Sequence, residues 1–245
     1  MLNYGRGFGF GGVSEVVKQL IIINVLVFIV AKTLSNVVPE LSMFFPLSDS
    51  FRPYQVVTHM FMHANFTHIM FNMLSLYFLG PMVEKELGEK KFLIFYLICG
   101  FGAALVHFGV DYYEYQRALV GLEASQVNEV IKEGRGLMLS GRNNVDGGLA
   151  KLNQVLNIPV VGASGAIYGV TIGFAALFPN VRLSLMFIPY PVKAKYLVVG
   201  LIAYDLFLGV GQMSTGIAHF AHLGGGLFGY ILILIWKGNR FKDFS

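Results

Sequence analysis

Cysteine is nearly absent from this chain. A single one, Cys99, occurs in 245 residues, so no disulfide can form within it. Placed inside an apolar run, a lone cysteine packs as a small hydrophobe. Charge is scarce too: Asp, Glu, Lys and Arg make up 13% of the chain, about half the roughly 25% of soluble domains. Hydrophobic residues make up 55%, and mean hydropathy is +0.63. Together these values exclude an ordinary soluble domain and describe an integral membrane protein. There is no Walker-type loop, no CxxC pair, no HExxH helix and no low-complexity tract, so the signatures of phosphate cradles, dithiols and zincins are missing. The net charge of +4 does not imply a nucleic-acid partner, because basic residues of membrane chains gather in cytoplasmic loops.

What the chain does have is long apolar runs. A spanning helix needs about 20 such residues, and six candidates lie near 16–37, 66–82, 92–110, 160–178, 196–210 and 217–236. They predict an all-α fold: one polytopic membrane domain over 1–245. The first run has Lys32 and no small-residue cleavage site after it, which fits an uncleaved anchor rather than a signal peptide. Basic residues cluster before the first run (Arg6, Lys18), between the second and third (Lys85, Lys90, Lys91), between the fourth and fifth (Arg182, Lys193, Lys195) and in the tail (Lys237, Arg240, Lys242). That bias predicts both termini on the cytoplasmic side.

Two long loops fall on the opposite side. Residues 36–58 are rich in Phe, Met and Pro and carry no strong helix pattern, which fits an element half-sunk in the outer leaflet. Residues 111–159 open with helix-compatible spacing up to Leu139. A Gly- and Asn-rich turn follows at 140–148. The simplest reading is an interfacial helix and a connector. Residues 84–91 read as a solvated mixed-charge turn.

Polar residues inside apolar runs are costly and mark function or partners. Ser164 falls about four residues into the fourth span and His222 about five into the sixth. His68 and Asn72 fall in the first two turns of the second. These three spans run in the same direction, so all four side chains share one depth, in the outer third of the bilayer. Gly165, Gly169 and Gly173 recur every four residues, as do Gly225 and Gly229. Such ridges let membrane helices touch backbone to backbone. A serine needs a base to become a nucleophile, and a partly desolvated imidazole is a neutral one. His68 and Asn72, four apart, share a helix face. With the Ser164 N–H they can donate to an oxyanion. Tyr168 lies one turn after Ser164, where its ring can pack on His222.

Three strings make this specific. Gly162-Ala163-Ser164-Gly165 with Gly169 fits GxSGxxxG. Ala221-His222 with Gly225 and Gly229 fits AHxxGxxxG. His68-Ile69-Met70-Phe71-Asn72 fits HxxxN. In this order they resemble the rhomboid family of intramembrane serine proteases, over roughly 51–236. The resemblance implies a six-helix core in which Ser164 is the nucleophile and His222 the base. His68, Asn72 and the Ser164 N–H form the oxyanion site, and Gly162 and Tyr168 support it. It implies no cofactor. The substrates would be single-span or polytopic membrane proteins cut at unwound, small-residue segments. Where the family often has Trp-Arg in the first loop, Tyr54-Gln55 stands here, and the third loop is longer than usual. The absence of a seventh span fits the compact bacterial form, in an inner membrane.

Other readings compete. His59 with His63, and His219 with His222, have helical spacing that suits metal ligation, the rival being a membrane metalloprotease. No carboxylate is evidently placed as a third ligand, so no metal site is expected. His63 is expected to bond the first-loop backbone, His59 to be equally a structural or a surface residue, His107 to end the third span at the interface, and His219 to face water one turn above His222. Asp205 is the one acid within a span. It would centre a transporter, but without a second such acid its expected role is hydrogen bonding between helices, outside the mechanism. A catalytically silent, rhomboid-like binding or chaperone module is the remaining alternative.

Overall fold

Backbone groups removed from water must be satisfied within their own segment, so apolar runs of this length fold as helices. The computed structural model describes residues 13–34, 37–184, 190–211 and 218–242, with side chains to Lys237 in the last segment. It is mostly helical. In chain order come α1 (Glu15–Thr33), α2 (Val37–Leu41), α3 (Gln55–Thr58), a 3₁₀ turn (His59–Phe61), α4 (Phe66–Leu87), α5 (Glu89–Ala118), α6 (Ala124–Leu139), α7 (Gly147–Asn157) and α8 (Ser164–Leu177). A short antiparallel pair, β1 (Arg182–Leu183) and β2 (Val192–Lys193), then leads to α9 (Ala194–Val210) and α10 (His219–Lys242).

Four helices are long and apolar enough to cross a membrane: Glu15–Thr33, Phe66–Leu87, Glu89–Ala118 and His219–Lys237. With 14 and 17 residues, α8 and α9 are shorter. The outward faces of the four long helices and of α9 are apolar: Leu26, Phe78, Leu105, Phe207 and Leu234 are all more than half exposed. A surface of this kind suits lipid, and with the apolar composition it makes the chain an integral membrane protein.

The core is the packing of α5, α8 and α10, with α4 beside α8, α1 on α4, and α9 on α10. Its buried layer includes Leu76, Phe92, Phe95, Tyr96, Cys99, Val170 and Phe174. Glycine permits the approach. A methyl at Gly229 would lie 2.8 Å from the Gly169 carbonyl oxygen, and one at Gly169 would lie 2.9 Å from the Gly225 oxygen. The two ridges read in the sequence therefore face one another.

Several boundaries differ from expectation. The first span ends at Thr33 and a separate short helix follows. The second continues through Pro81 to Leu87. The turn expected at 84–91 reduces to Gly88, whose φ of 81° ends α4. Glu84 is not solvated. It is 3% exposed and accepts hydrogen bonds from Ser14 Oγ (2.6 Å), Val16 N (3.1 Å) and Val17 N (2.9 Å). The two amides are first-turn donors with no intrahelical acceptor, and a carboxylate there is stabilised by the helix dipole. The third span reaches Ala118, so His107 lies within α5, with Nε2 3.3 Å from Asp111 Oδ2. The long third loop holds two helices, α6 and α7. They bury Val130, Leu152, Val155 and Leu156 with Phe45 and Ala118 in a second apolar cluster.

The first loop is organised by Gln55, 1% exposed, whose Oε1 accepts from the Arg52 and Phe44 amides. Its Nε2 donates to the Glu40 and Ser50 carbonyls. The loop is tied to the segment before α8 by a two-way backbone pair between Met43 and Val160.

Candidate active site

Four elements meet at one end of the core. The segment 158–163 stays extended, held by the Met43–Val160 pair and by Gly162 N donating to His59 O (2.9 Å). Gly162 has φ 132°, a conformation that favours glycine. A methyl there would also meet the His68 ring at 2.8 Å and Ser164 Oγ at 3.3 Å. The helix therefore begins at Ser164 itself, not four residues earlier. The Ser164 N–H is one of the first-turn donors that lack an intrahelical acceptor. His222 is correspondingly the fourth residue of α10, not the fifth of its run.

On α4, Asn65 Oδ1 caps the helix by accepting from His68 N (2.9 Å). His68 and Asn72 follow on one face. Asn72 is 7% exposed, and its Nδ2 has no hydrogen-bond partner among the described residues. Ser164, His222, His68, Asn72 and Gly162 all line one cavity of about 540 Å³. The ring of Tyr168 stacks on that of His222, with centroids 5.2 Å apart and planes inclined by 15°.

Of the remaining histidines, His59, His63 and His219 are buried and His107 is half-buried. His59 is buried and its ring Nδ1 bonds the Gln55 carbonyl (2.9 Å), so it, and not His63, secures the first loop. His63 is also buried, packed edge to face on His68 at 5.1 Å. Burial holds the imidazoles of His59 and His63 down at about 4. His219 does not face water. It is 4% exposed, and its Nδ1 lies 2.6 Å from Asp205 Oδ1.

Asp205 does link α9 to α10, but it reaches further than one bond. Its Oδ2 lies 3.4 Å from His222 Nδ1. The carboxylate that sequence spacing left unplaced thus stands beside both histidines, with the three donor groups within 4.8 Å of one another. The 2.6 Å contact is a direct hydrogen bond. Two ligands each about 2.1 Å from a tetrahedral zinc would be roughly 3.4 Å apart. No sequence signal foretold this meeting, because Asp205 and His219 belong to different helices.

A chain that can bring a serine, an imidazole and several donors to one cavity has the parts for acyl transfer. Comparison with known proteins identifies the family. The rhomboid domain model matches residues 50–238. Rhomboid protease AarA of Providencia stuartii is 26% identical over 180 residues, 72% of this chain and 53% of that protein. Rhomboid-like protein 11, chloroplastic, of Arabidopsis thaliana is 26% identical over 205 residues, 78% of this chain and 55% of that protein. Rhomboid protease GlpG of Salmonella newport is 42% identical over a stretch of 48 residues, 20% of this chain and 17% of that protein. The chain spans about half the length of the first two of these relatives. With the domain model covering most of its length, the chain belongs to the rhomboid family.

Proposed function

We propose that the chain is an intramembrane serine endopeptidase. His222 takes the proton of Ser164 Oγ, and the oxygen attacks a backbone carbonyl of a membrane-protein segment. The tetrahedral oxyanion is held by Asn72 Nδ2, His68 and the Ser164 N–H. His222 then protonates the leaving amine, and water hydrolyses the acyl-enzyme. Gly162 keeps the oxyanion side open, and Tyr168 holds the plane of the His222 ring. The observation that carries this reading is the common cavity of Ser164, His222, His68 and Asn72, with an unpaired amide donor on its wall.

The six-span topology with both termini cytoplasmic belongs to the same proposal, as does a bacterial inner membrane. So does the treatment of the chain as one membrane domain. The shortness of α8 supports the depth of the site. Fourteen residues span about 21 Å against a hydrocarbon core of about 30 Å. If its far end reaches one face, Ser164 lies roughly 9 Å inside the other. The cavity would let water in from that side. A substrate must present unwound backbone there, since helical peptide groups are already bonded.

The test is cleavage of a single-span reporter by purified protein in detergent, beside Ser164→Ala and His222→Ala. Cleavage lost in both variants and indifferent to chelator supports the proposal. Cleavage surviving in Ser164→Ala overturns it. No cleavage by the wild type of several reporters, with no fluorophosphonate labelling of Ser164, would favour a silent binding module.

A further inference from the structure

We infer that Asp205 is a positioning residue for His222, so that the serine–histidine pair is extended by a carboxylate from a third helix. This rests on the serine-protease reading above. An acid in the apolar middle of α9 is costly unless it is satisfied. Asp205 is 3% exposed and divides its two oxygens between two rings, with the Tyr168 hydroxyl also beside the carboxylate. Oδ1 bonds His219 Nδ1 at 2.6 Å and Oδ2 faces His222 Nδ1 at 3.4 Å.

The geometry selects a tautomer. A carboxylate only accepts, so the nitrogen facing it carries the proton. Nδ1–H of His222 pointing at Oδ2 leaves Nε2 with its lone pair, free to act as base toward the cavity. The 3.4 Å separation is loose, as catalytic contacts often are before substrate binds. His219 keeps the carboxylate from turning away by holding its other oxygen with a short bond. Tyr168, stacked on His222, sets the ring plane, and Asp205 sets its rotation within that plane.

The experiment combines kinetics with ¹⁵N NMR of histidine-labelled protein, on the wild type, Asp205→Leu, Asp205→Asn and Asp205→Glu. In the wild type, His222 should be protonated at Nδ1 and bare at Nε2. The opposite tautomer overturns the inference whether or not any variant folds. In Asp205→Leu the tautomers should mix and kcat should fall at least 100-fold, with KM within threefold. The Asp205→Asn amide should also lower kcat, and Asp205→Glu should recover part of the loss. A folded Asp205→Leu with kcat within twofold of wild type and an unchanged tautomer overturns it. Loss of cleavage in Ser164→Ala is the separate test of the serine reading. If that reading failed, the tautomer result would still stand by itself.

Discussion

The phenol ring of Tyr168 lies almost parallel to the imidazole of His222, 5.2 Å between centroids and 15° between planes. One ring comes from the second turn of α8 and the other from the first turn of α10. The stack therefore depends on the glycine-mediated contact of those helices. The Tyr168 hydroxyl is buried on the Asp205 side of the stack, so the ring and the oxygen are tested separately.

Tyr168→Phe should keep the stack and stay within a few-fold of wild-type kcat. Stability should shift by no more than about 1 kcal/mol, the net worth of one hydrogen bond. Tyr168→Ala should lower kcat at least tenfold. Steady-state cleavage and thermal melts of the purified proteins check both.

Asn72 Nδ2 faces the cavity unpaired. Asn72→Ala should lower kcat by about 10²–10³ with little change in KM, as loss of one oxyanion donor does elsewhere. A change confined to KM would assign Asn72 to substrate binding instead.

At Gly229, an added methyl would meet the Gly169 carbonyl oxygen at 2.8 Å. Gly229→Ala should cost about 1–3 kcal/mol by overpacking. Activity should fall with it, since separating α8 from α10 separates Ser164 from His222. A melt unchanged by this substitution would show that the helices do not pack as described.

Three donors at the start of α1 converge on Glu84. Glu84→Ala should destabilise by about 2–4 kcal/mol, since buried donors are left unpaired. Glu84→Gln should cost less. Both should leave KM for a reporter unaltered, because this cap is remote from the cavity; a thermal melt and a KM determination separate the two effects.

His59 and His63 supply a pH dependence. Burial lowers both to about 4 from an ordinary 6.5. Between those values the unfolded chain binds more protons than the folded one, so stability falls as pH falls. Each group contributes up to about 1.4 kcal/mol per pH unit in that window. The melting temperature should drop on acidification from pH 7 to 4.5, and His63→Gln should flatten the slope.

Much of the molecule was legible in its sequence because the membrane imposes simple rules. Backbone satisfaction makes long apolar runs helical, so Phe66, Tyr196 and the glycine ridges fell near their observed elements. The strings around His68, Ser164 and His222 carried the family. Boundaries were less legible. Ser164 opens its helix because Gly162 and the Met43–Val160 pair hold the preceding segment extended, although that segment is as apolar as the helix. The charges at Lys85, Lys90 and Lys91 masked the neighbouring Glu84, whose burial depends on a helix that starts 69 residues earlier in the chain.

Local composition and spacing determined that this chain is a helical membrane protein with close-packing helices, because hydropathy and small-residue ridges act within one helix or its immediate contact, and its motif strings carried the resemblance to the rhomboid family. The tertiary structure alone decided who partners whom among the polar side chains. A buried carboxylate must find a donor, and the donors for Asp205 are supplied by His219 and His222 on another helix. That pairing is set by how α9 lies against α10, which no periodicity in either segment records.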